Sequence, residues 1–460
     1  MSRISSKSWP SDISLELKYR LGAKPLHEYL KTNAEEIPTK VAYSFYGNDL
    51  NWKELDDYVD RFAGFLVNQG VKKGDCVALF LQNCPQYIIA HYAIQRLGAV
   101  VVPLNPMYKD AELRYLLNEA TVKGVVSGQE LYDELHSATA HTQSVEFIVT
   151  TNYADFLPKN PTLPLPEELK LVKRLLAESI DFTSILREYV PFTGQVDIDL
   201  YHDIGLMVFT SGTTGRPKAA MLPYISALFK TAATVQANQV EITDTSLAVA
   251  PLCHIAGMVM GVNTPVYSGC TSILLTRFDP AIAIEAIETY SVSVWYSIAP
   301  MNAAILNTPG VEKRNLSSLR RNMATSFGIP VTQNLAEQWK QLTNGCLMYE
   351  AAYGLSETHT CDTFMPSSKI KWGSCGIPTF ETEIKILDTE SGKEVEPCEK
   401  GEIVLRNPGV FKGYLNRPEA TAETLRDGWI YTGDIGSLDE DGYLYFHGRL
   451  KEMIKCSGYS

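Results

Sequence analysis

The sequence predicts an α/β protein in which doubly wound sheets form most of the chain. Short apolar runs such as 76–80 and 100–102 alternate with stretches of helical spacing such as 85–96, and this alternation is typical of parallel sheets. The chain has 460 residues, which corresponds to roughly three domains. From about residue 382 the pattern changes to short strands separated by turns, which indicates a small β unit.

The first strands and helices follow from residue spacing. Two runs, 41–46 and 50–52, flank the turn Gly47-Asn48-Asp49 and predict a hairpin, because Gly and Asn favour tight turns. Apolar residues at helical intervals between Leu55 and Val67 predict a helix. The same reasoning predicts strand 76–80, helix 85–96, strand 100–102, helix 111–118 and strand 124–126.

The middle of the chain contains an insert, after which the alternation resumes. Four prolines between residues 157 and 167 predict a loop, and the amphipathic segment 170–188 is expected to lie against the sheet. Strand and helix patterns return from Ile204 to about Glu350. In the β unit, strands are predicted at 383–387, 402–405, 429–431 and 443–446.

Composition excludes several classes of protein. Lys and Arg number 41 against 53 Asp and Glu, a net charge of −12, and without a basic tract this argues against non-specific nucleic-acid binding. Nine cysteines without a C-x-x-C pair indicate free thiols in a reducing, cytoplasmic compartment. No apolar run reaches the ~18 residues of a spanning helix. The polar first twenty residues are unlike a secretory signal.

The most informative segment is the run TSGTTGRPK at 210–218, which follows the apolar strand 204–209. Glycines let backbone N–H groups approach a ligand, hydroxyls donate to oxyanions, and Lys218 supplies a positive charge. The spacing differs from that of a Walker A loop. The segment therefore predicts a polyphosphate clamp, with a flexible surface loop as the alternative.

Other candidate site residues also follow apolar strands. His254 comes after 247–250 and either faces a ligand or packs in a loop. Ser356 and Glu357 place a hydroxyl beside a carboxylate, which suits Mg²⁺ unless Glu357 is simply solvated. Asp434, after two aromatic residues, either accepts ribose hydroxyls or ends a strand. The charged segment 448–452 is predicted to be a turn that serves as a linker or hinge.

Together, the order and spacing of these segments resemble the adenylate-forming superfamily, which includes acyl-CoA synthetases, luciferases and peptide-synthetase adenylation domains. The resemblance extends from about Pro25 to Tyr459. The segments that carry it are TSGTTGRPK at 210–218, PLCHIAG at 251–257, AYGLSE at 352–357, GEIVLRNPGVFKGY at 401–414, WIYTGD at 429–434 and GRLKEMIKCSGY at 448–459.

The resemblance implies ATP and coenzyme A as substrates and Mg²⁺ as the metal. Residues of one loop would hold the β- and γ-phosphates and then pyrophosphate: Thr210, Ser211, Gly212, Thr213, Thr214, Gly215 and Lys218. Tyr353 would stack near the adenine, and Ser356 would contact the α-phosphate or the acyl carboxylate. The remaining assignments are Mg²⁺ ligation by Glu357, ribose binding by Asp434 and Arg449, and a place between nucleotide and acyl group for His254.

The same resemblance implies a domain plan. A large N-terminal domain would occupy 1–448, with α/β subdomains at about 1–190 and 191–380 and a β-barrel-like subdomain at about 381–448. Residues 449–460, with Lys451 as the hinge, would begin a small C-terminal domain whose remainder is missing. Because relatives use a lysine of that domain in adenylation, we expect this chain to adenylate poorly.

Two substitutions distinguish this chain from many relatives. Ser356 stands where many have Thr, which keeps the hydroxyl, and Ala352 stands where many have Gly beside the acyl carboxylate, which is expected to narrow the pocket. No carboxylate lies near His254 to pair an amino group, so an uncharged acyl tail is favoured. Apolar and aromatic residues are predicted to line the acyl pocket: Met258, Tyr296, Ile298, Ala299, Pro300 and Met301.

The insert at 157–190 is similar to one in fatty-acyl ligases and favours a medium- or long-chain fatty acid. The alternatives are an aryl-acid ligase of the benzoate or coumarate kind, a luciferase-type oxygenation, and a non-catalytic nucleotide-binding module. No transmembrane segment is predicted, peripheral membrane contact remains open, and the protein is expected to be a monomer or homodimer.

Overall fold

A computed structural model describes residues 8–210 and 216–450 of the chain. Its strands are β1 (Val41–Phe45), β2 (Asn48–Asn51), β3 (Cys76–Phe80), β4 (Val100–Pro103), β5 (Val122–Gly128), β6 (Phe147–Thr151), β7 (Ile180–Asp181), β8 (Ile204–Thr210), β9 (Lys218–Pro223), β10 (Thr245–Ala248), β11 (Thr271–Leu274), β12 (Val294–Ile298), β13 (Arg321–Thr325), β14 (Leu347–Glu350), β15 (Thr363–Phe364), β16 (Ile377–Pro378), β17 (Glu383–Leu387), β18 (Gly401–Arg406), β19 (Leu425–Arg426), β20 (Trp429–Leu438) and β21 (Leu444–Arg449).

Helices cover the faces of the sheets. The α-helices are α1 (Leu26–Glu36), α2 (Trp52–Asn68), α3 (Pro85–Arg96), α4 (Asp110–Glu119), α5 (Tyr132–Thr139), α6 (Phe182–Glu188), α7 (Tyr224–Asn238), α8 (Ile255–Gly257), α9 (Thr264–Ser268), α10 (Pro280–Tyr290), α11 (Ala299–Leu306), α12 (Gln333–Leu342) and α13 (Pro418–Thr424). Short 3₁₀ turns occur at Gln129–Leu131, Tyr153–Phe156, Glu167–Lys170, Val311–Lys313 and Ser356–Thr358, and Met258–Asn263 is a π-helix.

Two seven-stranded sheets confirm the predicted doubly wound α/β class. The first has the order β7-β6-β5-β3-β4-β8-β9 and is parallel except for the antiparallel pair β8–β9. The second has the order β14-β13-β12-β10-β11-β1-β2 and is parallel except for the hairpin β1–β2. Strands and helices predicted before residue 130 lie within a few residues of their observed bounds.

Each of the two sheets contains strands from both sides of the predicted boundary near residue 190. The hairpin β1–β2 belongs to the second sheet, whereas β8 and β9 complete the first. The proposed ranges 1–190 and 191–380 therefore do not coincide with the sheets. Spacing identifies a strand but not its neighbour, and consecutive strands lie side by side only about two-thirds of the time.

Helix α3 joins the two halves of the large domain. All its residues are buried, as expected for a helix without a polar face. The Tyr87 hydroxyl donates to Leu252 O at 3.1 Å, and the Tyr92 hydroxyl donates to Val262 O at 3.1 Å. Because those carbonyls belong to the other half of the chain, α3 fixes both halves around one core.

The predicted β unit is an antiparallel sheet of β17, β18, β20, β19 and β21. Its last strand corrects one prediction. Gly448 and Arg449 were expected to form a turn, but they end β21 and pair with Ile435 and Asp434. The glycine allows this path because its φ is 141°. Lys451, the predicted hinge residue, lies outside the described residues.

The segment 170–188 has a mixed structure. Only α6 and the edge strand β7 are regular, and β7 pairs with β6 at the margin of the first sheet, as the expected contact with the sheet requires. Within residues 8–210 and 216–450, no helix has both the length and the hydrophobicity to cross a membrane.

Candidate active site

The strands β8 and β9 carry the ends of the predicted phosphate loop. Thr210 and Lys218 are register partners, and the Thr210 hydroxyl donates to Lys218 O at 3.5 Å. Antiparallel pairing thus returns the chain beside its starting point, as a loop that surrounds a ligand requires. Five predicted phosphate-binding residues lie outside the described residues: Ser211, Gly212, Thr213, Thr214 and Gly215.

The described side of this loop is anchored to α4. The Tyr115 hydroxyl donates to Pro217 O at 2.9 Å, and the Arg216 guanidinium lies 5.3 Å from the centroid of the Tyr115 ring. Residues 216 and 217, which lead into β9, are therefore held against α4.

Lys218 and Glu357 meet through a tyrosine that the sequence analysis assigned no role. The Lys218 ammonium lies 4.3 Å from the centroid of the Tyr414 ring, and the Tyr414 hydroxyl donates to Glu357 Oε1 at 2.6 Å. Burial and the neighbouring Glu357 carboxylate raise the pKa of Tyr414, so the phenol stays a donor. Tyr414 is held by backbone bridging to Ala220 of β9.

Glu357 fits the predicted metal ligand. It is partly exposed, and no ion pair joins it to a Lys or Arg among the described residues. Those residues also contain no cluster of three or more His, Cys, Asp or Glu side chains able to hold a metal. A single carboxylate suits Mg²⁺, which takes one or two protein carboxylates together with substrate phosphates.

Tyr353, Asp434 and Arg449 form a second cluster. The Tyr353 hydroxyl donates to Asp434 Oδ2 at 2.6 Å, and Arg449 Nε lies 3.0 Å from Asp434 Oδ1. Asp434 is only 2% exposed, and its register pairing with Arg449 places the two side chains on adjacent strands. Burial, and then the Asp434 carboxylate, raise the pKa of Tyr353 well above its usual value.

The loop after β14 carries Tyr353, Ser356 and Glu357 in a tightly folded form. His359, Thr360 and Cys361 have φ of 58°, 57° and 50°, a left-handed run that is costly for side-chain-bearing residues. The run folds against Gly354, where a Cβ would lie 2.5 Å from Cys361 N. Gly354 therefore has to be glycine for this loop to close. Ser356 begins the 3₁₀ turn.

A fully buried ion pair supports the same loop. Lys230 Nζ of α7 lies 2.5 Å from Asp362 Oδ1, and neither side chain is exposed. Asp362 also accepts from Asn407 at 2.8 Å and from the Thr358 hydroxyl. Sequence reasoning missed this pair, although a lone lysine within the apolar run of α7 was a signal, because lysine is almost never fully buried without a partner.

His254 borders a cavity of about 160 Å³ that opens beside the loop. It is the N-cap residue of α8, and its side-chain Nδ1 accepts from Ala256 N at 3.4 Å. The His254 residue is solvent-exposed at the edge of the cavity, but partial desolvation by the surrounding protein atoms lowers the pKa of its ring, so the ring is neutral at pH 7. Ala352 and Gly354 line the same cavity, which brings the predicted acyl-side residues together.

Most of the predicted pocket residues do not line this cavity. Tyr296 does, but Met258 and Ala299 are 1% and 0% exposed and belong to the core. Ile298, Pro300 and Met301 are also absent from its described lining. Alternation along β12 puts Tyr296 and Ile298 on the same face, but Ile298 is the last residue of that strand, and Ala299, Pro300 and Met301 begin α11. No described residue of the insert 157–190 lines it either.

Comparison with known proteins identifies the family. Residues 30–415 match the family described as AMP-binding enzyme. A long-chain-fatty-acid–CoA ligase of Bacillus subtilis is 34% identical, over 99% of this chain and 82% of that protein. A feruloyl-CoA synthase of Amycolatopsis is 32% identical, over 92% of this chain and 78% of that protein.

A solved structure agrees with these sequence relatives. The ATP-bound MatB of Rhodopseudomonas palustris superposes with a TM-score of 0.81 at 25% identity, and the match covers 95% of this chain and 80% of that one. The fold, the family match and the relatives agree: the chain belongs to the AMP-binding enzyme family and is an AMP-forming acyl-CoA synthetase, an enzyme class that uses ATP and coenzyme A.

Proposed function

We propose that the chain activates a medium- or long-chain fatty acid with ATP and then transfers the acyl group to coenzyme A. The observation that carries this proposal is the cavity beside His254. Its described lining contains no Asp, Glu, Lys or Arg and includes Met260, Met323 and Phe364. Such a lining favours an uncharged tail, because an unpaired charge would be costly to bury there.

The nucleotide would lie across the loop that follows β14. Lys218 and the loop from Thr210 would neutralise the phosphates, and Tyr353 would contact the adenine. Asp434 and Arg449 would hold the ribose. Since Asp434 already accepts from Tyr353 and pairs with Arg449, ribose binding requires the guanidinium to share or yield one carboxylate oxygen. Arg449, with a side chain that is 42% exposed, is the partner that can move.

The first step forms a bond between a carboxylate oxygen of the acid and the α-phosphorus of ATP. The bond from that phosphorus to the bridging oxygen breaks, and pyrophosphate leaves with the electron pair. Lys218 offsets charge on the departing phosphates, as fixed donors do in phosphoryl transfer. Glu357 would hold Mg²⁺, which supplies further charge neutralisation to phosphate oxygens. Ser356 would contact the α-phosphate or the acyl carboxylate.

The second step transfers the acyl group. The thiol of coenzyme A gives up its proton to solvent, and its sulfur forms a bond to the acyl carbonyl carbon. The bond from that carbon to the phosphate oxygen breaks, and AMP leaves with the electron pair. His254 is neutral and lies where the cavity meets the loop, so we propose that it borders the reacting carbonyl without placing a positive charge beside the acyl tail.

A second candidate substrate is an aryl acid. Tyr296 and Phe364 line the cavity, and aromatic side chains pack well against a ring. The similarity to a feruloyl-CoA synthase is nearly as great as that to the fatty-acid ligase. By contrast, a non-catalytic nucleotide-binding module and a luciferase-type oxygenation have no support in these relatives.

We also propose that the enzyme acts in the cytoplasm. The described cysteines are free thiols: Cys76, Cys84, Cys253, Cys270, Cys346, Cys361, Cys375 and Cys398. Free thiols are the usual state in a reducing compartment.

Thermal unfolding with non-hydrolysable acyl-adenylate analogues tests the substrate class. We expect lauroyl and palmitoyl analogues to stabilise the protein more than benzoyl, cinnamoyl and phenylalanyl analogues, with AMP as the reference without an acyl group. At 100 times its Kd a ligand stabilises the fold by ~2.7 kcal/mol. Larger shifts with the aryl analogues would overturn the fatty-acid assignment and keep the adenylate site.

A further inference from the structure

A second, smaller void lies behind the acyl cavity. It has a volume of about 10 Å³ and is lined by residues that include Val240, Leu247, Val294 and Trp295. The two spaces share three lining residues: Met260, Tyr296 and Met323. These three side chains, which we call the floor, therefore border both the cavity and a small gap in the packing of the core.

Met260 reaches the floor from an unusual backbone. It lies in the π-helix Met258–Asn263. Single π-turns are rare in proteins overall, but those that occur are often found at functional sites. Its neighbours Met258 and Val259 are 1% and 0% exposed, whereas Met260 is partly exposed. The next residue, Gly261, packs so closely on Leu252 that a Cβ would lie 2.7 Å from a Leu252 methyl group. The wide helix thus turns one methionine towards the cavity.

The three floor residues differ in hydrogen bonding and in the number of side-chain bonds that can rotate. Tyr296 and Met323 are register partners on adjacent strands β12 and β13. The Tyr296 hydroxyl lies within hydrogen-bond distance of Thr325 Oγ1, at 3.2 Å, which fixes its ring. Met260 and Met323 carry unbranched thioethers with three rotatable bonds, which adapt to irregular space. The floor therefore has one fixed member and two adaptable ones.

We propose that Met260 and Met323 form a displaceable floor that sets the acyl chain length. Shorter tails fill the cavity with both thioethers in place, and longer tails push the thioethers aside and take the volume that these side chains vacate, in the direction of Val240 and Trp295. This inference rests on the proposed function, since it requires an aliphatic acid.

Affinities for a series of acyl-sulfamoyl adenosines, from butanoyl to hexadecanoyl in steps of two carbons, test the floor. These compounds resemble the acyl-adenylate and cannot be hydrolysed. Each step should improve Kd by about tenfold while the tail fills existing space. We expect this gain to fall sharply at one chain length in the unaltered protein. In Met260→Ala and Met323→Ala the break should move to longer tails, and in Met260→Phe it should move to shorter ones.

Met258→Ala is the matched control, because it removes the same side chain from the same π-helix without opening the cavity. It should keep the break of the unaltered protein even if the melting temperature falls. An unchanged break in Met260→Ala and Met323→Ala, with tight binding of the aliphatic analogues, would overturn the floor alone. Failure of every aliphatic analogue to bind, with binding of a cinnamoyl analogue, would overturn the proposed substrate class and the floor together.

Discussion

Two tyrosine–carboxylate pairs flank the candidate site, and they differ in where the positive charge lies. In the first pair, Tyr353 donates to Asp434 at 2.6 Å and Arg449 contacts the same carboxylate at 3.0 Å. The carboxylate is 2% exposed, so its charge is neutralised within the protein. This pair is complete before any ligand arrives.

In the second pair the cation contacts the ring. Tyr414 donates to Glu357 at 2.6 Å, while the Lys218 ammonium lies over the Tyr414 ring. Glu357 therefore keeps a negative charge that no ion pair of the described residues offsets, and it remains partly exposed. This difference fits the proposed roles, in which Asp434 would bind neutral ribose hydroxyls and Glu357 would bind a divalent cation.

The largest effect is expected when the buried Lys230–Asp362 ion pair is broken, because this pair supports the loop that carries Tyr353 and Glu357. Asp362 donates its backbone N–H to Tyr353 O at 2.7 Å and pairs with Lys230. Lys230→Met leaves a buried carboxylate without its cation, so we expect the free energy of unfolding to fall by about 3–5 kcal/mol. Urea unfolding at pH 8 measures this loss.

A matched control is Lys218→Met, in a lysine that forms no ion pair among the described residues. It should cost less than about 1 kcal/mol. In Lys230→Met the loss should shrink as the pH falls, because the stranded Asp362 can then take up a proton. Equal losses in the two variants would show that the buried pair does not support the loop.

The next largest effect separates the two carboxylates by function. Glu357→Gln keeps the shape but removes the charge, so we expect the enhancement of ATP affinity by Mg²⁺ to fall by about 10²-fold. Asp434→Asn should weaken ATP binding similarly with and without Mg²⁺. Calorimetric titration of ATP in both conditions distinguishes them. If the Mg²⁺ dependence of ATP binding were lost in Asp434→Asn and kept in Glu357→Gln, the assignment of Mg²⁺ to Glu357 would be wrong.

The sequence was sufficient to predict helices and strands that are specified by residues within the same segment. The strand 76–80 and the helix 85–96 have their predicted bounds, because hydrophobic spacing and an N-terminal proline specify them directly. The segments around Lys218, Glu357 and Asp434 were recognised from local motifs alone, although they lie at the start of β9, after β14 and within β20, which belong to three different sheets.

Relations between distant segments could not be predicted in the same way. The Lys230–Asp362 pair joins residues separated by 132 positions, and neither residue type specifies its partner. Tyr414 lies inside a recognised segment, but its contacts with Lys218 and Glu357 exist only after three chain segments meet. The floor of the cavity depends on a π-helix, for which local spacing offers no signature.

A smaller effect measures how strongly each carboxylate depends on its tyrosine. Tyr353→Phe removes a donor from the buried Asp434, and water cannot replace it, so we expect a loss of about 1–3 kcal/mol in unfolding free energy. Tyr414→Phe removes an equally short bond from the partly exposed Glu357, where water can substitute, so the loss should stay below about 1 kcal/mol. Parallel urea titrations compare them. A larger loss in Tyr414→Phe would contradict the difference in burial.

The smallest expected effect is a loss of stability at low pH, and it arises from His359 in the loop between the two pairs. Burial lowers the pKa of His359 to about 3, and neither ring nitrogen has a hydrogen-bond partner among the described residues. The unfolded chain binds a proton near pH 6.5, while the folded chain does not. Stability is therefore present above about pH 6.5 and is lost as the pH falls towards 3, by about 1.4 kcal/mol at pH 5.5.

His359→Asn removes this titration and keeps the left-handed backbone, which asparagine tolerates better than most residues. The difference in unfolding free energy between pH 7.5 and pH 5.5 should be smaller by about 1 kcal/mol in this variant than in the unaltered protein. His141→Asn, at an exposed histidine, should leave the difference unchanged. Equal pH dependence of the unfolding free energy in the two variants would mean that the His359 ring can take up a proton in the folded protein. That result would contradict the tight packing of this loop around Gly354.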